Sequence, residues 1–265
     1  MFWIRLRSSV ILMILTLLCV VVGGNLLFAA TLAISLIGMM ELLRIFDVNK
    51  TIVGIVGYAG CIIYYFMVLF DAEDHLVMMF ILFLLVLMTV YVFSFPKYKT
   101  EQIVITFFSL FYVALMLSYI YRTRMLEGGA YLVWLIFISA WGSDTCAYLV
   151  GSKIGKHKMT PHLSPKKSIE GLFGGIIGAA LIGFIFATIF QSQITGVTHA
   201  QLAYTIIGGC GSIISQIGDL AASAIKRNHE IKDYGTLIPG HGGILDRFDS
   251  IIYTAPIVFY LATYL

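Results

Sequence analysis

The sequence has 265 residues, of which 60% are hydrophobic and 12% are charged, and its formal net charge is +3. A soluble domain has about 25% charged residues, so the composition excludes a water-soluble globule. It also excludes a disordered, collagen-like or disulfide-rich chain, and the small net charge predicts no nucleic-acid partner. The chain is therefore predicted to be an all-α integral membrane protein.

Nine segments are predicted to cross the lipid bilayer, because a helix needs about 20 apolar residues to span about 30 Å of hydrocarbon. The run from Val10 to Phe46 is nearly twice that length, and Gly23-Gly24-Asn25 is a turn signal within it. It is predicted to form a hairpin of two spans, the first retained rather than cleaved as a signal peptide. Continuous rather than alternating apolar runs favour helices over a barrel. The other predicted spans are 51–70, 76–95, 103–121, 129–150, 171–190, 201–225 and 250–265.

The distribution of basic residues predicts the orientation of the chain in the membrane. With a cytoplasmic N-terminus, all lysines and arginines except Arg122 and Arg124 fall on the cytoplasmic side. The outer loop Asp71-Ala72-Glu73-Asp74 is then purely acidic. We therefore expect the N-terminus inside and the C-terminus outside. The size and the absence of a targeting sequence predict a bacterial inner (cytoplasmic) membrane.

The two halves of the chain differ in polarity. Residues 1–130 have short loops and are interpreted as a scaffold of transmembrane helices, whose apolar surface is compatible with a homodimer. Residues 140–250 contain the two long loops and, on this interpretation, every carboxylate at membrane depth; they lie within the second half, residues 131–265. The second half is predicted to be the catalytic region, with its active site on the cytoplasmic side.

Four aspartates are the candidate metal ligands. Asp144 and Asp219 lie in the sixth and eighth predicted spans, where a carboxylate costs a few kcal/mol unless it is paired, hydrated or bound to a cation. Asp246 and Asp249 are three residues apart and share a helix face. Such a pair is either a solvated face or the kind of ligand that Mg²⁺ prefers. For Asp144 and Asp219 a purely structural hydrogen bond is the alternative.

Two loops could bind anions. Lys166 and Lys167 precede the seventh helix, and amines beside a helix N-terminus favour polyanions. From charge alone, an ordinary positive-inside flank or a contact with anionic lipid head groups is the favoured explanation. In the second loop, residues 239–243 cannot form a helix, and their glycines allow backbone N–H groups to approach a bound group. His241 there is a ligand, a phosphate donor or a turn residue.

Motifs for other chemistry are missing from the sequence. Gly151–His157 is not a Walker A loop, because its glycine spacing is short and His157 replaces the Ser or Thr. The histidines have no zinc-ligand spacing, and there is no nucleophile elbow. Covalent catalysis is therefore not indicated.

The segment Ser223–Ser250 resembles the signature of the phosphatidate cytidylyltransferase (CDP-diacylglycerol synthase) family. The upstream segment Ser143–Gly171 resembles the same family, with Ser168 at a position where Thr is commoner. The N-terminal spans are similar only in hydropathy, so the resemblance covers about the last half of the chain. The matching residues of the signature include Ser223, Lys226, Arg227, Lys232, Asp233, Pro239, His241, Gly242, Gly243, Asp246, Arg247 and Asp249.

The resemblance implies transfer of the cytidylyl group of CTP to phosphatidic acid, with Mg²⁺ as the cofactor. One or two divalent ions are expected, and a monovalent ion in one of the sites is left open. The expected catalytic residues are Asp219, Asp246, Asp249 and Lys167. The expected metal ligands are Asp219, Asp246, Asp249 and Asp144. The expected substrate-binding residues are Lys166, Lys167, Lys226, Arg227, Ser223, His241, Gly242, Gly243 and Arg247.

Three other functions remain as alternatives. A cation transporter or channel would use Asp144 and Asp219 along its pathway, but it leaves the basic loops unexplained. A lipid phosphotransferase that consumes CDP-alcohols usually has Asp-x-x-x-Asp steps, and Asp246 and Asp249 are one residue closer. A non-catalytic membrane subunit does not explain the clustering of carboxylates and lysines.

Overall fold

The structure, a computed structural model, describes residues 2–161 and 163–264. Within these residues the chain forms nine continuous helices, which confirms the predicted helical segments to within a few residues at most ends. The last helix begins at Leu245 rather than at residue 250. The helices are α1 (Phe2–Val22), α2 (Gly24–Ile45), α3 (Ile52–Leu69), α4 (Leu76–Phe93), α5 (Thr100–Met125), α6 (Gly129–Ile154), α7 (Ile169–Ile189), α8 (Ala200–Asn228) and α9 (Leu245–Tyr264).

The turn between α1 and α2 is where the glycines predicted it. Gly23 separates the two helices with a φ of +67°, in the left-handed region that favours glycine. The carbonyls at the end of a helix lack partners within it, and Arg124 Nε donates to Val20 O at 3.2 Å. The arginine therefore stabilises the C-terminus of α1.

Six of the helices in the described residues, α2 to α7, are long and apolar enough to cross a membrane by length and composition. This finding supports an integral membrane protein. The described apolar part of α1, Leu6–Val22, is shorter than that limit. A total of nine spans, and the orientation of the chain, stay predictions.

The chain divides into two compact units, and the first contains most of α1, all of α2 to α4, most of α5 and the segment Asp233–Arg247. Buried hydroxyl pairs link its helices. Ser35 Oγ of α2 lies 2.7 Å from Tyr65 OH of α3. Tyr64 OH lies 2.8 Å from Ser118 Oγ of α5. Hydrogen bonds of this kind satisfy polar groups that would otherwise be costly to bury.

The second unit contains residues 20–23, the segment Tyr119–Lys232 and the chain from Phe248 onward. Its α7 packs against both α6 and α8, because the side of α7 that faces them carries glycine and alanine. A Cβ added at Gly178 would lie only 2.5 Å from Cys146 Cβ, and one at Gly174 would lie 2.5 Å from Val150 Cβ. Small residues that allow such close approach are typical of helix packing in membranes.

A β-hairpin and π-helical stretches in two helices, one of them Leu110–Leu115 of α5, were not predicted from the sequence. Between α6 and α7, strands β1 (Lys158–Thr160) and β2 (Ser164–Ser168) form an antiparallel hairpin, in which Lys158 is opposite Ser168 and Thr160 is opposite Ser164. Helix α6 also contains a π-helical stretch, Ile138–Gly142, directly before Ser143. Such stretches often occur near functional sites.

The close packing of α6 and α7 predicts a stability effect. Gly178→Ala should destabilise the protein by about 1–3 kcal/mol, because overpacking forces neighbouring atoms to move. Gly209→Ala is the matched control, since a Cβ there meets only Ala180 Cβ at 3.7 Å. Thermal unfolding in detergent should show a lower Tm for the first variant only. Equal Tm values would contradict this account of the packing.

Candidate active site

The second unit contains a cavity of about 480 Å³ whose lining includes several charged side chains. Helices α6 and α8, strand β2 and the first turn of α7 supply its walls, together with Lys158 of β1. Several residues predicted from the sequence therefore meet in one place. The predicted site residues that line it are Asp144, Lys166, Lys167 and Asp219.

An ion pair joins opposite walls of this cavity. Lys167 Nζ at the end of the hairpin contacts Asp219 Oδ2 of α8, and both side chains are about a quarter exposed. The positive charge of the ammonium thus compensates the negative charge of the carboxylate, and both groups are largely shielded from solvent. Lys166, one residue earlier, is exposed at the same cavity.

Asp144 lies in the turn of α6 that follows the π-helical stretch, and it is exposed at the cavity. Its neighbour Ser143 is fully buried, and Ser143 Oγ lies 2.6 Å from Ser212 Oγ of α8. This contact holds α6 against α8 directly beside the aspartate. The position of Asp144 relative to α8 is therefore fixed by a buried hydrogen bond.

Asp249 of α9 and Lys226 of α8 are both buried in the second unit. Asp249 Oδ1 accepts a hydrogen bond from the Ser250 N–H at 2.8 Å. The charged groups around Asp249 are the carboxylates of Asp219 and Asp144 and the ammonium of Lys226. Three of the four predicted metal ligands thus belong to one electrostatic cluster.

The hairpin that carries the lysines is anchored by side chains at the start of α7. Ser168 is the N-cap of α7, and its Oγ accepts from the Gly171 N–H at 3.1 Å. Glu170 accepts from the Lys156 N–H at 3.1 Å, and its Oε1 lies 2.6 Å from His157 Nδ1. These bonds hold both ends of the loop that places Lys167 in the cavity.

Asp246 belongs to the first unit, where its carboxylate accepts hydrogen bonds from the backbone of the polar segment before α9. Its Oδ2 accepts from the Tyr234 N–H at 2.7 Å and from the Gly243 N–H at 2.9 Å. Within the same unit, His241 Nε2 lies 3.1 Å from Ser9 Oγ of α1. Gly242 has a φ of +86°, which confirms that the turn requires glycine.

The remaining predicted residues lie around these two groups. Ser223 and Lys226 follow Asp219 by four and seven residues in α8, so they share its helix face. Arg227 is exposed, and its Nη1 donates to Ile231 O at 3.4 Å. Arg247, in the first turn of α9, is half-buried.

Sequence reasoning missed several residues of the cavity, namely Tyr148, Ser152, Lys158 and Gln216. Gln216 is 4% exposed and donates from Nε2 to Leu172 O at 3.3 Å. The sequence does contain a signal for Gln216, because a carboxamide one turn before Asp219 is unusual in an apolar segment.

Sequence reasoning also overlooked a buried carboxylate outside the second half, in the candidate span α2. Glu41 of α2 is 3% exposed. Its Oε1 accepts from the Ile244 N–H at 3.1 Å, and its Oε2 accepts from the Leu245 N–H at 2.8 Å. A lone Glu within an apolar span was the signal for this residue.

The donor set of the cavity suits a hard cation. In the part of the chain that the structure describes, no three His, Cys, Asp or Glu side chains lie close enough to hold one ion. Mg²⁺ does not need such a cage, because it is usually bound by one or two carboxylates, waters and substrate phosphates. Asp219 already faces a cation, the Lys167 ammonium, so the residues fit the ion.

Comparison with known proteins identifies the family. The model of the cytidylyltransferase family matches residues 3–265. A phosphatidate cytidylyltransferase of Bacillus subtilis is 30% identical over 265 residues, covering 97% of this chain and 96% of that protein. Those of Staphylococcus saprophyticus and Staphylococcus epidermidis are each 31% identical over 260 residues, with 96% of both chains covered.

The chain belongs to the cytidylyltransferase family. The resemblance read from the sequence is confirmed, and with it the prediction of a nucleotidyltransferase. It extends over almost the whole chain rather than the last half. Membership favours the enzyme over the transporter and the non-catalytic subunit, and the relatives are bacterial proteins.

The capping bond of Ser168 generates a prediction. Ser168→Ala should lower the free energy of unfolding by about 1 kcal/mol, because the Gly171 N–H loses its acceptor. Hydrogen exchange at that amide should become faster. Thr188→Ala is the control, since its exposed hydroxyl donates only to Phe184 O within α7. Unchanged exchange at Gly171 would contradict the capping role.

Proposed function

We propose that the protein transfers the cytidylyl group of CTP to phosphatidic acid, giving CDP-diacylglycerol and pyrophosphate. The observation that carries this proposal is the cavity that brings Lys158, Lys166 and Lys167 together with Asp144 and Asp219. Family membership supports the choice of substrates. We further propose that the reaction takes place on the cytoplasmic side of a bacterial membrane.

The chemistry requires charge compensation more than proton transfer. The attacking group is the phosphate monoester of the lipid, whose second pKa of about 6 leaves it ionised near neutral pH. An oxygen of this group attacks the α-phosphorus of CTP in line, and the bond from that phosphorus to the leaving pyrophosphate breaks. Two unit charges about 4 Å apart repel by about 4 kcal/mol at an effective dielectric constant of about 20. Cations must therefore surround both substrates.

The lysines and aspartates divide this task. Lys158, Lys166 and Lys167 reach the cavity from the hairpin and would bind the triphosphate or the lipid phosphate. Lys226, with Ser223 and Arg227 nearby in α8, would add to the positive charge. In the other loop, His241, Gly242, Gly243 and Arg247 are proposed to approach a substrate phosphate or the nucleotide.

Asp219 and Asp249 are the first candidates for holding Mg²⁺, with Asp144 as a further ligand. We also propose Asp246, which precedes Asp249 by three residues in α9. A carboxylate has about four lone-pair sites, so its two bonds to backbone N–H groups are compatible with binding a cation. The bound ion would stabilise the charge that develops on the phosphate oxygens.

The lipid substrate needs an apolar path to this cavity. Helices α6 and α7 also border an apolar groove of about 590 Å³, lined by Leu149, Val150, Phe173, Ile177 and Leu181 among others. We propose that this groove accommodates an acyl chain of phosphatidic acid. Helices α6 and α7 would then contact both the phosphate head group, in the cavity, and an acyl chain, in the groove.

The direct test uses purified protein, micelles that contain phosphatidic acid, labelled CTP and Mg²⁺. We expect a labelled lipid nucleotide, and at least about a 100-fold lower rate for Asp219→Asn, because metal stabilisation is worth several kcal/mol. Asp246→Asn should also abolish turnover. Asp71→Asn, in the exposed loop before α4, is the control and should be fully active. Near-normal turnover of Asp219→Asn or Asp246→Asn would refute that residue's role as a ligand.

The Lys167–Asp219 pair predicts that the ammonium competes with a divalent ion. Lys167→Met should bind Mn²⁺ about tenfold more tightly in the absence of CTP, because Asp219 loses its compensating charge. Its turnover should nevertheless fall, since the triphosphate loses a contact. Mn²⁺ binding is measured by electron paramagnetic resonance of the protein without substrates.

Lys166→Met is the matched control for this experiment. Lys166 lines the same cavity and is exposed, so its loss removes charge without releasing Asp219. If the two variants bind Mn²⁺ equally well, the competition does not exist.

A further inference from the structure

Glu41 is a buried carboxylate that accepts hydrogen bonds from backbone N–H groups. It lies in α2, and its two oxygens accept the N–H groups of Ile244 and Leu245, at 3.1 and 2.8 Å. These N–H groups are at the first turn of α9, where the helix leaves its donors without intrahelical partners. Negative charge is favourable there, because the positive end of the helix dipole lies at the N-terminus. Glu41 therefore caps α9 from another helix.

A second pair of contacts holds the other end of the same segment. Arg44, one turn after Glu41 in α2, donates from Nη2 to Tyr234 O at 2.5 Å. The N–H of Tyr234 is bound by Asp246 Oδ2, which also accepts from Gly243. The segment from Tyr234 to Leu245 is thus fixed to α2 at both ends and closed on itself by Asp246.

The backbone wraps closely around the Glu41 carboxylate. A Cβ at Gly235 would lie 2.6 Å from Glu41 Cδ, and one at Gly243 would lie 2.5 Å from it. Both contacts are shorter than real Cβ atoms show, so a side chain at either place would displace the Glu41 carboxylate. The segment therefore packs closely against the Glu41 carboxylate at both glycines.

We infer that Glu41 is a positioning residue for the reaction, acting through Asp246 and the glycine turn. This inference rests on the proposed function. Loss of Glu41 would release the N–H groups of Ile244 and Leu245 and the backbone next to Asp246. The Asp246 carboxylate would then lose its fixed orientation toward a cation, although none of its own bonds is removed. Groups that orient metal ligands typically change metal affinity or activity by about 10- to 100-fold.

The test compares Glu41→Ala and Glu41→Gln with wild type. We expect the Mg²⁺ concentration for half-maximal turnover to rise about 10- to 100-fold in Glu41→Ala. Glu41→Gln keeps one acceptor oxygen and should show an intermediate shift. In both variants the Ile244 and Leu245 amides should exchange hydrogen faster, measured without substrates or metal. Glu41→Gln also keeps the test decisive if Glu41→Ala does not fold.

Ser35→Ala is the matched control. It removes a buried hydrogen bond of the same helix, to Tyr65 OH, without touching the segment before α9. It should lower the Tm but leave the Mg²⁺ dependence unchanged. An unshifted Mg²⁺ dependence in Glu41→Gln, with exchange at Leu245 unchanged, would overturn the inference. Wild-type protein that forms no lipid nucleotide would instead refute the proposed function, while the exchange measurement would still test the Glu41 contacts.

Discussion

An ionised carboxylate in an apolar protein has to be surrounded by charge or hydrogen-bond donors, because its desolvation is otherwise too costly. Both compact units follow this requirement. Asp219 faces the Lys167 ammonium. Glu41 is satisfied by two backbone N–H groups at the start of a helix. Each of these two carboxylates is therefore placed beside groups that compensate its charge.

The need to compensate Asp219 also explains the importance of the β1–β2 hairpin, because this hairpin carries Lys167. Lysine has a long flexible stem and about 2 kcal/mol of rotamer entropy, so a lysine in an unanchored loop would seldom be in place. Here the Ser168 cap and the bonds of Glu170 with Lys156 and His157 hold the loop ends. The backbone at Lys167 is thus placed by the fold, and its side chain is held by the contact with Asp219.

The sequence predicted the helices because their apolar runs are long, and it predicted the break at Gly23 because glycine accepts a positive φ. The segments around Asp144 and Asp219 were recognised by their polarity in apolar surroundings. The hairpin could not be predicted, since its strands have only three and five residues and no alternation of apolar residues. Glu41 could be noticed as a lone Glu within an apolar span, but its contact with Ile244 could not be predicted, because residues 203 positions apart share no local pattern.

Asp219 is compensated by a side-chain ammonium, whereas Glu41 is compensated by backbone N–H groups. These two kinds of partner differ in how easily a metal cation can take their place. A backbone N–H at a helix start is fixed by the helix, so the donors around Glu41 cannot leave without unwinding α9. The Lys167 ammonium sits on a flexible stem and can move to a phosphate while staying in the cavity. On the proposed function, a divalent ion that arrives with a triphosphate would find an exchangeable partner at Asp219. A side-chain ion pair thus suits a site that must bind and release charge, whereas backbone donors suit a carboxylate that holds structure.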